Sequence, residues 1–468
     1  MSRRHKALLV PILALPLAGF TPAGAESASH GSKIEVDYRT VHQKIDGFGI
    51  SQAFRRMELI EQLSPQQQRE ILDLWLSKEK GAGVSILRLG IGSSPTGSPY
   101  DLMESIQPVD PGGPDATPNY VWDGKDGGQV WLAKEAKRYG VKRFYADAWS
   151  APGYMKDNGS DSNGGSLCGL TGVTCASGDW RTAYAKYLVQ YAKFYKQEGI
   201  KITDIGFTNE PDWTAVYASM RFTPAQAAEM VRVMGPYARQ AGLNLVCCDS
   251  FGWNESKAYT AAIEADPAAR RYVDVHAGHT YASPVDAPLP TNRPVWMSEW
   301  NPNGDTWNEA WDDGSGWDGF TIAAAIHDAM TLGNASAYVY WFGASRGATR
   351  ALLQVDVPNQ TYAVSKRLWA LAAYSRFIRP DAVRLGITAS DPALRVAAFR
   401  NKDGSEVVEI LNTGTAAVST TLKTKSGKAT LYLTDGGNSL APTVLPGKHG
   451  HRPVTLQPRS LTTIVVRF

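Results

Sequence analysis

The sequence predicts an α/β chain, a (β/α)8 TIM barrel with an attached side β-sandwich domain, and three patterns carry that expectation. Short apolar runs alternate with longer amphipathic segments across residues 44–375, as parallel strands joined by crossover helices do. The runs begin near Ile45, Val84, Val141, Ile202, Leu243, Val273, Val295 and Ala335, one for each strand of an eight-fold barrel. Beyond Pro380 the period drops to two and the turns become rich in Gly, Asp and Asn, which reads as a second, all-β domain.

Helical patterns fill most of the gaps, at 65–78, 129–139, 181–198, 223–241, 256–265, 319–332 and 362–375. One gap departs from the scheme. Residues 281–293 hold three prolines and no helical period, so the sixth helix is expected to be short or missing. The second domain shows strand patterns at 394–399, 406–411, 420–425, 429–433 and 460–468. An alternating segment at 33–38 would have nothing to pair with in a closed barrel, so the sandwich is assigned residues 33–43 plus 376–468 and the barrel 44–375. No low-complexity linker separates the two, which predicts rigid packing.

The chain opens with Arg3, Arg4 and Lys6, an apolar run at 7–20 and the small-residue site Ala23-Gly24-Ala25. Residues 1–25 therefore read as a signal peptide cleaved before Glu26, and the protein as secreted. Ser2-Arg3-Arg4 half-resembles a twin-arginine signal. The apolar run is shorter than the roughly 20 residues that span a bilayer, which argues against a membrane anchor. Without the leader, basic and acidic residues are equal in number, so neither nucleic acid nor an anionic membrane is an expected partner. Cys168 and Cys175 bracket a Gly-containing octapeptide suited to a small disulfide loop in an oxidising compartment, and no His or Cys-x-x-Cys pair completes a zinc set. Cys247 and Cys248 are adjacent on a predicted strand, where side chains point to opposite faces, so at least one reads as core packing. The 14 Trp, 20 Tyr and 13 Phe exceed what a core needs, and flat rings beside polar loop residues suit stacking on sugars.

Two strands end in glutamate. Ile205-Gly206-Phe207-Thr208-Asn209-Glu210-Pro211 stops at a proline, and counting by twos turns Gly206, Thr208 and Glu210 inward with Ile205 and Phe207 toward the helices. Pro294-Val295-Trp296-Met297-Ser298-Glu299-Trp300 ends the same way three βα units later. The two carboxylates would face each other across the barrel mouth from strands four and seven. Glycoside hydrolysis needs such a pair, one protonated for the departing oxygen and one ionised to attack, roughly 5 to 5.5 Å apart in a retaining enzyme. The charge of one raises the proton affinity of the other. Asn209 beside Glu210 is suited to hold a sugar 2-hydroxyl.

Asn-Glu-Pro at 209–211 and Ser-Glu-Trp at 298–300, with Asp46-Gly47-Phe48-Gly49 opening the barrel and Ser375-Arg376-Phe377-Ile378-Arg379-Pro380 leaving it, resemble glycoside hydrolase family 30 over nearly the whole mature chain. The resemblance implies a retaining mechanism with Glu210 as acid/base and Glu299 as nucleophile, and calls for no cofactor and no metal. The stretch Gly49-Ile50-Ser51-Gln52-Ala53-Phe54-Arg55-Arg56 and Trp149 through Gly165 resemble the fungal-type (glucurono)xylanase branch, where an arginine after the first strand binds the glucuronic acid side group. Arg56 matches that position, since a guanidinium fork pairs bidentately with a uronate; a salt bridge to Glu58 is the alternative. Bacterial glucuronoxylanases use residues after the last strands instead, which leaves Arg346 and Arg350 as further candidates.

Position assigns the remaining mouth residues. Trp149 ends the third strand, Tyr281 follows the sixth and Trp341 ends the eighth, so they are expected to wall the subsite at the cleaved bond, with core packing as the alternative for one of them. Trp300 follows the nucleophile. His279 is placed either against the nucleophile or a sugar hydroxyl, or as a satisfied structural group. Arg88 ends the second strand and is expected to pair with Glu299. The loop 301–317, with Trp307, Trp311 and Trp317, is expected to shape the cleft. The resulting expectation is a secreted, monomeric endo-β-1,4-xylanase acting on (glucurono)xylan. A β-1,6-glucanase, a β-1,6-galactanase, an exo-acting xylobiohydrolase and a non-catalytic carbohydrate-binding protein are the alternatives.

Overall fold

Side chains at alternate positions of eight parallel strands face one another across a closed barrel, and that arrangement positions the site above it. The computed structural model describes residues 32–99 and 102–468, so the leader read at residues 1–25 lies outside the described residues. After β1 (Ser32–Lys44), the barrel closes in chain order through β2 (Gly47–Ser51), β3 (Ile86–Ile91), β4 (Arg143–Ala148), β5 (Asp204–Gly206), β6 (Asn244–Ser250), β7 (Val273–His279), β8 (Val295–Trp300) and β9 (Ala337–Tyr340). Each barrel strand begins within two residues of its predicted apolar run.

Ile86, Tyr145, Val246, Val275, Trp296 and Val339 fill the barrel interior, a packed plug rather than a pore. At its lower end Trp296 donates to Asp46 at 2.9 Å, and Arg143 ties Asp46 to Asp204. Asp46 of the opening Asp-Gly-Phe-Gly motif thus closes the floor. Gly206 is required by close approach: a Cβ there would stand 2.2 Å from Asp147 Oδ1 and 2.7 Å from the Tyr145 hydroxyl.

The helices are α1 (Met57–Glu61), α2 (Pro65–Leu76), α3 (Gln129–Arg138), α4 (Arg181–Gln197), α5 (Pro224–Ala241), α6 (Trp253–Ala265), α7 (Pro267–Arg270), α8 (Gly319–Thr331) and α9 (Lys366–Phe377). Both α2 and α5 start with a full capping box, Ser64 with Gln67 and Thr223 with Gln226, followed by proline in the first turn. No helix lies between β7 and β8, where the three prolines stand. The last helix starts later than the pattern at 362–375 suggested. A small sheet, β10 (Ala344–Arg346), β11 (Leu353–Asp356) and β12 (Thr361–Val364), takes the first residues, and Ser365 then caps α9. No helix among the described residues is long and apolar enough to cross a membrane.

The second domain comprises β13 (Val383–Ala389), β14 (Leu394–Arg400), β15 (Glu406–Asn412), β16 (Val418–Lys423), β17 (Lys428–Thr434), β18 (Ser439–Leu445), β19 (His451–Leu456) and β20 (Ser460–Arg467). With β1 they form nine hydrogen-bonded strands in the order β18-β17-β20-β15-β14-β13-β1-β16-β19. β1 lies antiparallel to β13 and parallel to β16. Strict alternation lets the middle strands serve two cores. Val408 and Ile410 face Ile34, Leu422 and Ile464 within the sandwich, while Val407 and Leu411 join the core shared with the barrel helices.

Cys168 and Cys175 form the expected disulfide, with Cα atoms 5.6 Å apart. Cys247 and Cys248 are core residues, as expected of at least one of them, but their side chains are arranged differently from the expectation. They are bonded to each other, so their side chains do not diverge as in a regular strand, although both are buried in the core.

Candidate active site

Strand ends bring the charged residues together at the carboxyl side of the barrel. Glu210, past the end of β5, sits at φ 49°, and its amide donates to the Asp249 carbonyl at 2.8 Å. Glu299 lies near the end of β8. Both glutamates are buried, at 5% and 4% exposure, which makes them unlike ordinary surface acids. Glu210, Glu299 and His279 each offer an atom within 4.8 Å of the others, so a carboxylate oxygen of one glutamate approaches the other across a gap of that size.

Each carboxylate has its own partners. Arg88 lies in the middle of β3 rather than at its end as expected; it donates one guanidinium nitrogen to Glu299 and the other to Asp147 at 2.7 Å and to Asn209 Oδ1 at 2.6 Å. Tyr281 donates to the second Glu299 oxygen at 2.9 Å. His279 Nδ1 lies 3.0 Å from Glu210 Oε1, and its Nε2 lies 3.4 Å from Asp249. Asp249 in turn accepts from the Tyr145 hydroxyl at 2.6 Å.

The electrostatics separate the two glutamates. Burial pushes the Glu210 carboxyl up to about 7; the hydrogen bond from His279 opposes this and the charge of Glu299 adds to it. Burial acts against a charged His279, yet the charge of Glu299 and the bonds to Asp249 and Glu210 outweigh it and raise the imidazole to about 10. His279 is therefore a donor toward Glu210. Burial, with the charge of Asp249, raises the Asp147 carboxyl against the pull of Arg88. Glu210, His279 and Glu299 are the residues that would hold a metal ion by proximity, but a cation there would face the Arg88 guanidinium and a protonated imidazole.

Aromatic rings wall the site. Trp149, 2% exposed, lies under Arg88 at 4.6 Å and against Trp341 and Phe54. Trp341 stacks on Phe342, which carries Arg56 at 4.9 Å over its ring. Trp300 is half-buried against the core, its carbonyl accepting from the Trp341 amide. The predicted residues Glu210, Glu299, Asn209, Arg88, His279 and Tyr281 thus meet in one hydrogen-bonded cluster, while Trp149 and Trp341 flank it.

Other expectations change. Glu58, the alternative partner of Arg56, is paired with Arg55 at 2.8 Å. Arg350 reaches the Gly304 carbonyl, and Arg346 is exposed at the end of β10. The loop 301–317 is not purely a cleft loop. Trp311 is buried against Phe320 and donates to the Arg459 carbonyl of the sandwich, because an indole in this position bridges the two domains. The sequence reading omitted Tyr145, Asp147 and Asp249. The signal was available, since Tyr145 and Asp147 alternate inward on β4, and Asp249 is an acid at the end of a barrel strand.

The comparisons with known proteins agree with this geometry. Residues 31–261 match the family model "O-Glycosyl hydrolase family 30", and residues 381–464 match "Glycosyl hydrolase family 30 beta sandwich domain". The solved catalytic domain of the GH30 xylanase C from Talaromyces cellulolyticus superposes with a TM-score of 0.87 at 39% identity, over 93% of this chain and 100% of that one. Glucuronoxylanase XynC of Bacillus subtilis is 27% identical over 72% of this chain and 77% of its own length. Endo-1,6-beta-D-glucanase neg1 of Aspergillus fumigatus is 25% identical over 89% of this chain and 88% of its own. An eight-stranded parallel barrel, an attached β-sandwich and this degree of likeness to a family 30 enzyme lead to one assignment: the chain belongs to glycoside hydrolase family 30.

Proposed function

We propose that this hydrolase is an exported, retaining endo-β-1,4-xylanase acting on (glucurono)xylan. The observation that carries the mechanism is the approach of Glu210 and Glu299 within 4.8 Å, the short separation used in double displacement rather than the wider gap that accommodates a water. Glu299 attacks the anomeric carbon. Its two oxygens accept from Arg88 and Tyr281, and the oxygen that bonds carbon releases one of these donors to the other. Glu210 protonates the departing glycosidic oxygen, and a carboxyl near 7 keeps a substantial protonated fraction close to neutral pH. Once the leaving sugar has gone, Glu210 is a carboxylate and draws a proton from the water that cleaves the glycosyl ester. Asn209 commits Oδ1 to Arg88, which leaves its amide group to donate to the 2-hydroxyl.

The substrate reading is supported by the xylanase of the Talaromyces structure and the glucuronoxylanase of Bacillus subtilis. Arg56, carried on Phe342 at the edge of the aromatic wall, is our candidate for the uronate. The similarity to an endo-1,6-β-glucanase over most of the chain supports a second reading, β-1,6-glucan hydrolysis.

Product analysis on glucuronoxylan, unbranched xylan and β-1,6-glucan separates the readings. Branched xylooligosaccharides with a uronate at a fixed distance from the reducing end are expected. Cleavage confined to β-1,6-glucan rejects the xylanase reading. Glu299→Ala is expected to lower kcat by a factor on the order of 10⁴ or more, and azide should restore turnover with formation of the α-glycosyl azide; a β-azide would reverse the two roles.

A further inference from the structure

We propose that Trp213, backed by Phe251, forms a sugar-stacking subsite on the leaving-group side of the cleft, taking a pyranose ring of the departing part of a β-glycan chain. The inference rests on Glu210 being the proton donor, because the donor stands beside the departing oxygen and its flank meets the leaving portion of the chain.

Three rings extend outward from the reacting carboxylates. Tyr281, whose hydroxyl holds Glu299, stacks on Phe251 with centroids 5.4 Å apart and planes 25° apart. Phe251 stacks on Trp213 at 4.5 Å and 13°. Main-chain bonds fix the row. The Trp213 amide donates to the Glu210 carbonyl at 2.9 Å, the Phe251 amide to Asp212 at 2.9 Å, and the Tyr281 amide to the Phe251 carbonyl at 3.0 Å. Trp213 is thus tied to the same turn that presents the acid.

Exposure distinguishes this ring from the buried Trp149. Trp213 is 45% exposed, whereas Trp149 on the Arg88 side is 2% exposed. A large aromatic surface held rigidly in water gains nothing for folding, but it offers a preordered apolar platform with little entropy left to lose on binding. The apolar C–H face of a pyranose is complementary to it. Trp213 is held by the Glu210 carbonyl, on the side of the proton donor, so the subsite concerns the group that leaves and, in reverse, the acceptor that arrives.

The test uses the full enzyme on whichever β-glycan oligosaccharide it cleaves, together with the corresponding disaccharide fluoride, whose leaving group is a single atom. For Trp213→Ala, the ratio of kcat/KM on oligosaccharide to kcat/KM on fluoride is expected to fall about tenfold to a hundredfold. Trp213→Phe should recover most of it. The fraction of glycosyl-enzyme captured by an added oligosaccharide acceptor should fall in parallel. An unchanged ratio, or equal loss on both substrates, overturns the subsite. Failure of the xylanase reading would appear separately, as cleavage of a different β-glycan, and leaves this comparison intact. Failure of the acid assignment would appear as a Glu210→Ala enzyme that loses the fluoride as severely as the oligosaccharide.

Discussion

At the scale of single residues, the site is a set of hydrogen bonds that give two glutamates different work. Asp249 never reaches a substrate, yet its carboxylate faces His279, Tyr145 and Arg88, and its carbonyl receives the Glu210 amide. Its hydrogen bond helps keep the imidazole protonated, and that imidazole holds down the rise of Glu210. In the proposed mechanism Glu210 acts in its protonated form, so activity is expected to be lost as pH rises through its pKa, about 7 in the free enzyme. Asp249→Asn weakens the proton on His279 and removes part of the restraint on Glu210. The alkaline limb of kcat/KM is therefore expected to move upward from about 7, measured as a pH profile. An unmoved limb with a uniformly lower rate would make Asp249 a purely structural residue. The sequence exposed Glu210 and Glu299 because each ends a strand next to a recognisable neighbour. Asp249 also stands at the end of a barrel strand, but which partners it meets from β3, β4 and β7 is not encoded by that local pattern.

At the scale of elements, apolar periodicity made the helix starts at Pro65, Gln129, Arg181 and Gly319 legible, and two helices carry local chemistry at their starts as well. Ser64 with Gln67 and Thr223 with Gln226 announce two helices through caps that operate within four residues. β18 and β19 were not foreseen because Pro442 and Pro453 interrupt their patterns. Both are edge strands of the sandwich, where a missing amide donor is tolerated. β10 to β12 escaped for another reason, since strands of three and four residues carry too little alternation to register. The octapeptide closed by Cys168 and Cys175 is a local constraint of the same kind. The Cys168 amide and carbonyl bond to Met155 and Trp180, so the loop anchors the entry to α4. Closing so short a loop stabilises the fold by roughly 2–3 kcal/mol in the chain-entropy model. Cys175→Ser is expected to lower the urea midpoint accordingly, with the slope unchanged, while activity below the transition is retained. A variant as stable as the parent would mean the loop is held by its backbone bonds alone.

At the scale of the molecule, the barrel and the sandwich share apolar surface rather than merely touching. Val407, Leu411, Leu461 and Val465 of the sandwich belong to the same buried cluster as Leu368, Leu371 and Phe377 of α9. Phe377 meets Tyr432 at 4.4 Å, Arg459 lies over Phe320 at 3.7 Å and pairs with Asp312, and Trp311 donates to the Arg459 carbonyl. The chain also crosses twice, since β1 lies within the sandwich before the barrel starts and the sandwich is completed after the barrel ends. This sharing gives the loop 301–317 a role that the sequence does not announce: its tryptophans sit beside polar residues, and the Arg459 carbonyl that accepts from Trp311 comes 148 residues later in the chain. A shared core makes independent melting unfavourable, because unfolding either domain exposes apolar area of the other. Calorimetry of the protein is therefore expected to give one transition whose calorimetric and van't Hoff enthalpies agree. Arg459→Ala, which removes the pair to Asp312 and the cover over Phe320, is expected to lower that single transition without splitting it. Two resolved transitions, one of them leaving hydrolysis intact, would show instead that the sandwich is an appendage the barrel does not need.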